Sequence, residues 1–481
     1  MSHWPAAAKR LVCSRRARDR APPPALRLLT MAFVLGTALG PHTIHVEVRD
    51  ADTGLLRSKG MAQHSHRGQP SDDPALWWRS FVSAVRQAGE REIAAISVAG
   101  GHPGLVVLDG ADAVLRSSPS WANSGAASTV ARLASLKRAE PAIVDRLGMV
   151  LLPHDWLTHR LTGRAVTDRG SASLTDIWSL TAEDWQPGVL RDLAPRGARN
   201  WWQGKLPTVL GPSERADWLD APIYDLLGLR GRPIVGPGTG QDMAIALALG
   251  LRPGRVGVSL HHTTAALAGL VAPIDGGGPM RSRADAAGRF LAVAPAGDGM
   301  DLLDAVRGLL DIGTRELNAL ATEAGDRATG LAVLPGPTGR DGTTLTGLAA
   351  GATRRDLVGA TIDGIACAAL DQLDLVLRAG GTWHDGEPLR LGAPRDHVEV
   401  VAQVLADLSG RPVRPTAESS LAAAGACIQA AAVLTGGSPD DVADAWDLGA
   451  EGWAEPRETA SRSERRQAHA DAHARLRSDT D

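Results

Sequence analysis

The segment Gly238-Thr239-Gly240-Gln241-Asp242-Met243 sets an amide and a carboxylate side by side after a glycine turn. A carboxylate there is either a general base for a hydroxyl proton or the cap of a helix starting near Met243. Ser259-Leu260-His261-His262-Thr263-Thr264 is a strand turn whose two threonine hydroxyls suit phosphate oxygens. Adjacent side chains of an extended segment point to opposite faces, so His261 and His262 are poor joint metal ligands and read as a cleft-lining or surface turn. By itself Gly36-Thr37-Ala38-Leu39-Gly40-Pro41 reads as a hairpin turn, and His397 as an exposed helix residue. Cys13, Cys367 and Cys427 form no C-x-x-C pair, which excludes a disulfide scaffold and a cysteine zinc site and points to a reducing, cytoplasmic compartment.

The elements that would hold these residues alternate between strand and helix. Phe33–Leu39 is rich in β-formers and Thr43–Val48 alternates with Ile44, Val46 and Val48 on one face, so the two predict a hairpin. Asp73–Gln87 has an N-cap aspartate, Pro74 at the first helical position, and a stripe of Trp77, Phe81, Ala84 and Val85. Ile93–Ala99 and Leu105–Leu108 follow as strands. Near residue 255 the opening pattern starts again: Val256–Leu260, a tight turn, Ala265–Leu270, a helical stretch and the strand Leu331–Leu334. Strands feeding helices twice over imply an α/β protein of two similar lobes around a ligand cleft.

Composition narrows the class. With 44% hydrophobic and 22% charged residues, the chain of 481 is globular. A formal net charge of −3 excludes the basic excess that wraps nucleic acid. No apolar run reaches the roughly 20 residues of a membrane helix. Residues 1–30, with Arg15, Arg16, Arg18 and Arg20 ahead of Pro22-Pro23-Pro24, read as a disordered or mis-started extension ahead of Met31. The lobes are expected at 31–250 and 251–455, with a polar tail over 456–481.

Several segments resemble the FGGY family of carbohydrate kinases, on its xylulose kinase-like branch. The run Val150-Leu151-Leu152-Pro153-His154-Asp155-Trp156-Leu157-Thr158-His159-Arg160-Leu161-Thr162-Gly163, followed by Thr167-Asp168 and Ser171, is the clearest match. Asp73-Pro74-Ala75-Leu76-Trp77-Trp78, Asp407–Gly410 and Glu418–Gly425 add to it. The resemblance implies a two-lobed actin-like, ribonuclease H-like sugar-kinase fold, ATP with Mg²⁺ as phosphoryl donor, a small sugar as acceptor and, as in many relatives, a homodimer.

Carried over residue by residue, Gly36 and Gly40 fall on the first phosphate loop, Thr263 and Thr264 on the second, and Gly392 on the adenine-side glycine run. His102, Trp121 and Asn123 fall on the sugar pocket. Gln241 falls on the base position, with Asp242 one place beyond as the candidate base. Ala38 stands where the family has its metal-orienting aspartate, and no residue is assigned to a metal.

Two functions follow. One is ATP-dependent phosphorylation of a ketose or polyol hydroxyl, a xylulose-like sugar above others. The other is a catalytically impaired kinase-like protein that binds a sugar, nucleotide or protein partner.

Overall fold

Phe33–Leu39 (β1) and Thr43–Asp50 (β2) form the antiparallel hairpin predicted for them, and Leu56–Gln63 (β3) extends it. Ile44, Val46 and Val48 face one side and are buried, as the alternation requires. The computed structural model describes residues 32–65, 71–101, 104–118, 128–195, 197–198, 200–260, 263–275, 280–325, 330–336, 342–449, 452–457 and 462–478. The N-terminal extension therefore lies outside the described residues.

Pro74–Ala88 (α1) begins as its sequence dictates: the Asp73 carboxylate accepts the Ala75 N–H at 2.9 Å, and Gly89 closes the helix in the left-handed region. Trp77, Phe81, Ala84 and Val85 pack against the hairpin. Ile93–Gly100 (β4) lies parallel to β1 on its other side. After Pro153–Thr162 (α2), the short strands Asp217–Trp218 (β5), Ile234–Val235 (β6) and Thr239–Gly240 (β7) complete the first sheet. Its order is β5-β6-β4-β1-β2-β3, with β7 also on β4. Gln241–Ala248 (α3) leaves directly from β7.

The second sheet repeats this plan. Val256–Leu260 (β8) and Thr263–Leu270 (β9) form the second hairpin, flanked by Arg281–Ala284 (β10) and Phe290–Asp298 (β11). Arg354–Arg378 (α4) covers it, and Leu389–Gly392 (β12), Val398–Ser409 (α5) and Val413–Thr416 (β13) follow. The order is β10-β11-β9-β8-β12-β13. In both sheets a central strand is antiparallel to the hairpin strand on one side and parallel to a later strand on the other. The restart near residue 255 is thus a repeat of topology.

Between the sheets lies Leu421–Thr435 (α6), apolar on every face and buried over nearly its whole length. Sequence order places it with the second lobe, at 251–455, yet its backbone sits on the first sheet. A Cβ on Gly36 would lie 2.1 Å from the Ala423 carbonyl, and one on Gly425 would lie 1.8 Å from the Ala244 carbonyl of α3. The Ser97 hydroxyl donates to Gln429 on the same side. Toward the second sheet, residues of α6 share a core with Ala265, Leu267, Leu291 and Val293. An ion network anchors the loop leading into it: Arg49, 2% exposed, donates to Glu47 at 2.7 Å and to Glu418 at 2.6 Å.

The expected polar tail is a docked helix from Arg462 to Ser478 (α7). Arg465 pairs with Asp363, and Arg466 reaches Asp371 and Asp374 of α4 at 2.7 and 2.8 Å. On its inner face Ala472 is buried with Ala332 and Leu334. Its arginines read as solvated in sequence because the acids they pair with lie on another element, roughly a hundred residues away. Among the described residues no helix is long and apolar enough to cross a membrane.

Candidate active site

Of the positions named from the sequence, Gly40 follows the end of β1, and Gly240 and Gly392 end β7 and β12, as Gly100 ends β4; Gln241 and Asp242 follow β7 directly, at the start of α3. Such strand ends are where α/β folds place ligands. In the first hairpin Gly40 N–H donates to the Thr43 carbonyl at 3.0 Å, and His64 Nε2 lies 3.0 Å from the Gly40 carbonyl. Burial pulls the His64 imidazole below its ordinary value. The two glycines differ in their reason for being glycine. Gly36 lacks a side chain because the α6 backbone occupies that space, whereas a Cβ on Gly40 would meet its nearest atom, the Thr43 carbonyl oxygen, at 3.3 Å. Gly36 is therefore a packing glycine, and only Gly40 stands at the turn.

In the second hairpin Thr264 is 1% exposed and its Oγ1 has no hydrogen-bond partner among the described residues. It faces Gly299, where an added Cβ would fall 1.9 Å from that hydroxyl. Thr263 opens β9, but its side chain, like His261 and His262, lies outside the described set. Gly392 ends β12, and Leu421 at the start of α6 fills the space beside it. His102, Trp121 and Asn123 also lie outside the described residues.

Gln241 and Asp242 begin α3, both partly exposed, immediately beyond the pairing of Gly240 with Gly100. The alternative role of Asp242, the helix cap, belongs to Gly240 instead. The Asp242 carboxylate sits in the first turn, where the helix dipole favours it, and is ion-paired with Arg283 of β10. Nothing in the sequence flagged Arg283, because the pairing joins two lobes.

Beneath this loop lies the cluster made by the long family-like run. His154 and Asp155 stand in the first turn of α2, and Asp168 heads a short helix over Arg169–Ala172. His154 Nε2 lies 3.1 Å from Asp155 Oδ1, 3.5 Å from Asp168 Oδ1 and 3.2 Å from Ser171 Oγ, all in the interior. Asp155 also accepts the Leu152 N–H at 3.0 Å, and Asp168 accepts the Ser171 N–H at 3.1 Å. Thr239 Oγ1 donates to Asp168 at 3.3 Å. Burial acts to lower the His154 imidazolium, but the two carboxylates outweigh it and hold it at about 9. For Asp155 burial wins, and its carboxyl is raised.

On the nucleotide side, His397 is 7% exposed, contrary to its reading as an exposed helix residue. Its Nδ1 lies 2.9 Å from Asn318 Oδ1, and burial lowers its imidazole. Both residues line a cavity of about 540 Å³ just past the end of β12, with Arg395 and Asp396. A larger cavity of about 1000 Å³, beside Lys137, Arg191 and Trp201, includes none of the residues named from the sequence.

Two sheets of one topology, separated by paired central helices, define the two-lobed actin-like fold of sugar kinases, and comparison with known proteins places the chain within it. The FGGY family of carbohydrate kinases, N-terminal domain, matches residues 126–248. A xylulose kinase of Streptomyces rubiginosus is 34% identical over 455 residues, covering 87% of this chain and 91% of that protein. One from Streptomyces coelicolor is 34% identical over 458 residues with the same coverage. The crystal structure of a xylulose kinase from Bifidobacterium adolescentis superposes with a TM-score of 0.75 at 26% identity, covering 92% of this chain and 99% of that one. The chain belongs to the FGGY family of carbohydrate kinases, which transfer a phosphoryl group from ATP to a sugar hydroxyl.

Proposed function

We propose that this chain phosphorylates a xylulose-like ketose with ATP, holding the acceptor hydroxyl at Gln241 and working without a carboxylate base at that position. The observation that carries the substrate class is the match to xylulose kinases along nearly their full length.

The nucleotide fits the second lobe. The cavity at Asn318 and His397 suits an adenosine by its size, whereas the buried Thr264 hydroxyl packs against Gly299 and is closed to a phosphate. Residues for Mg²⁺ do not fit as well. Ala38 cannot accept a metal-bound water, and Glu47 and Asp242 already pair with Arg49 and Arg283. Among the described residues no group of three acids, histidines or cysteines is arranged around a metal. Mg²⁺ accordingly enters with the nucleotide as part of the substrate.

Phosphoryl transfer depends chiefly on positioning and charge neutralisation, so a site without its base remains a kinase of reduced rate. Gln241 orients the hydroxyl through its amide but takes no proton. Asp242 is turned toward Arg283, which leaves the impaired, binding-only reading as the competing outcome.

The test is ADP release by the full chain over a panel of ketoses and polyols, with Gln241→Asp and Ala38→Asp alongside. Slow turnover of xylulose that rises in Gln241→Asp supports the proposal. Turnover of no sugar by wild type or either variant overturns it.

A further inference from the structure

The buried cluster around His154 touches both loops that wall the acceptor site. A Cβ on Gly100, at the end of β4, would lie 2.8 Å from His154 Cβ; one on Gly238 would lie 3.0 Å from His154 Cδ2 and 2.9 Å from the Val98 carbonyl. Gly238 holds φ at +80°, a backbone that side chains rarely adopt. Its neighbour Thr239 donates to Asp168, and two residues further on Gln241 starts α3. Both glycines thus pack against His154, Gly100 against its Cβ and Gly238 against its ring and the Val98 carbonyl, and the Thr239 hydroxyl is fastened to the acid that the imidazole faces.

For fold stability alone this arrangement is a poor choice. A buried ion cluster gains little over apolar residues of the same volume, while each of its members is costly if left alone. What such a cluster does supply is a single allowed geometry. His154 is fixed from two sides, since Asp155 is anchored by the Leu152 N–H and Asp168 by the Ser171 N–H.

We propose that His154 and Asp168 are positioning residues for phosphoryl transfer, locking the Gly238–Gln241 turn against the end of β4 so that Gln241 meets the sugar hydroxyl in one orientation. The proposal rests on the kinase reading above, and it requires the cation between the two carboxylates, not merely the ring that fills the space.

Thr239→Val removes the fastening hydroxyl without changing volume, and serves as the primary variant because it has the best prospect of folding. Steady-state kinetics and amide hydrogen exchange are measured on the full chain. The expected result is kcat lowered by about 10- to 100-fold with KM for ATP unchanged, and faster exchange confined to residues 236–243. His154→Gln should show the same loss, and His154→Lys, which returns a cation, should recover part of it. Unchanged kcat and exchange in folded Thr239→Val overturn the proposal, as does a uniform rise in exchange across the chain with kcat per folded molecule intact. Equal rates in the Gln and Lys variants overturn the requirement for charge. If wild type turns over no sugar, the kinase reading fails by itself, and sugar affinity with local exchange still decides whether the cluster pins the turn.

Discussion

Two sets of acids flank the same turn and have opposite surroundings. Above it, Asp242 is a third exposed and answers Arg283 across the lobes. Below it, Asp155 and Asp168 are sealed from solvent around His154. The upper set departs from the family's pattern at the positions that would do chemistry, while the lower set lies in the segment that carries the clearest family resemblance. The contrast separates two demands on a kinase site. Proton transfer depends on one residue type at one place and is lost by one substitution. Positioning depends on a packed network, where each partner becomes a liability if another is removed.

The sharpest way to break this contrast is through His154. His154→Ala leaves two facing buried carboxylates uncompensated and should cost about 3–5 kcal/mol in urea unfolding; a loss below about 1 kcal/mol would place the cluster on a par with a surface pair. Next in size is Gln241→Asp, expected to raise kcat by about 10²-fold or more, since that is the lower bound for a proton-transfer group. A flat rate would show that the upper set does not limit turnover.

The third effect is set by pH. The His154 imidazole is raised from its ordinary value to about 9 by Asp155 and Asp168 against the pull of burial. Its contribution to stability is therefore complete below about pH 6.5, declines above that, and is gone once pH has risen through about 9. Thermal melts of wild type should fall across this window more steeply than those of His154→Gln. The smallest effect belongs to Arg283→Ala. A partly exposed pair contributes no more than about 1 kcal/mol, so stability should hardly move, and any gain in kcat would show that freeing Asp242 helps the chemistry.

Much of the scaffold could be read from the chain itself. β1, α1 with its Asp73 cap, and the second start near Val256 all follow from local period and turn chemistry, which act over a few residues. The site was legible only where it is local too. Gly36 looked like a phosphate-loop glycine, but its contact is with Ala423 and Cys427, far along the chain. His397 looked exposed because Asn318, its partner, lies 79 residues away. The charged ends of the His154 cluster were visible as a motif, yet their convergence depends on how α2 and the helix after Asp168 pack. Helix α6 was hardest of all: a segment apolar on every face has no stripe to say which sheet it covers.

That helix has a consequence for how the protein is made. Gly36, among the earliest residues of the first sheet, waits for a backbone that leaves the ribosome nearly four hundred residues later. Until then one face of β1 and β4 has no cover, and apolar strands without cover are open to wrong partners. A truncated chain ending at residue 250 is accordingly expected to remain incompletely folded and to aggregate. The first lobe in sequence is thus completed only by a helix that follows nearly all of the second.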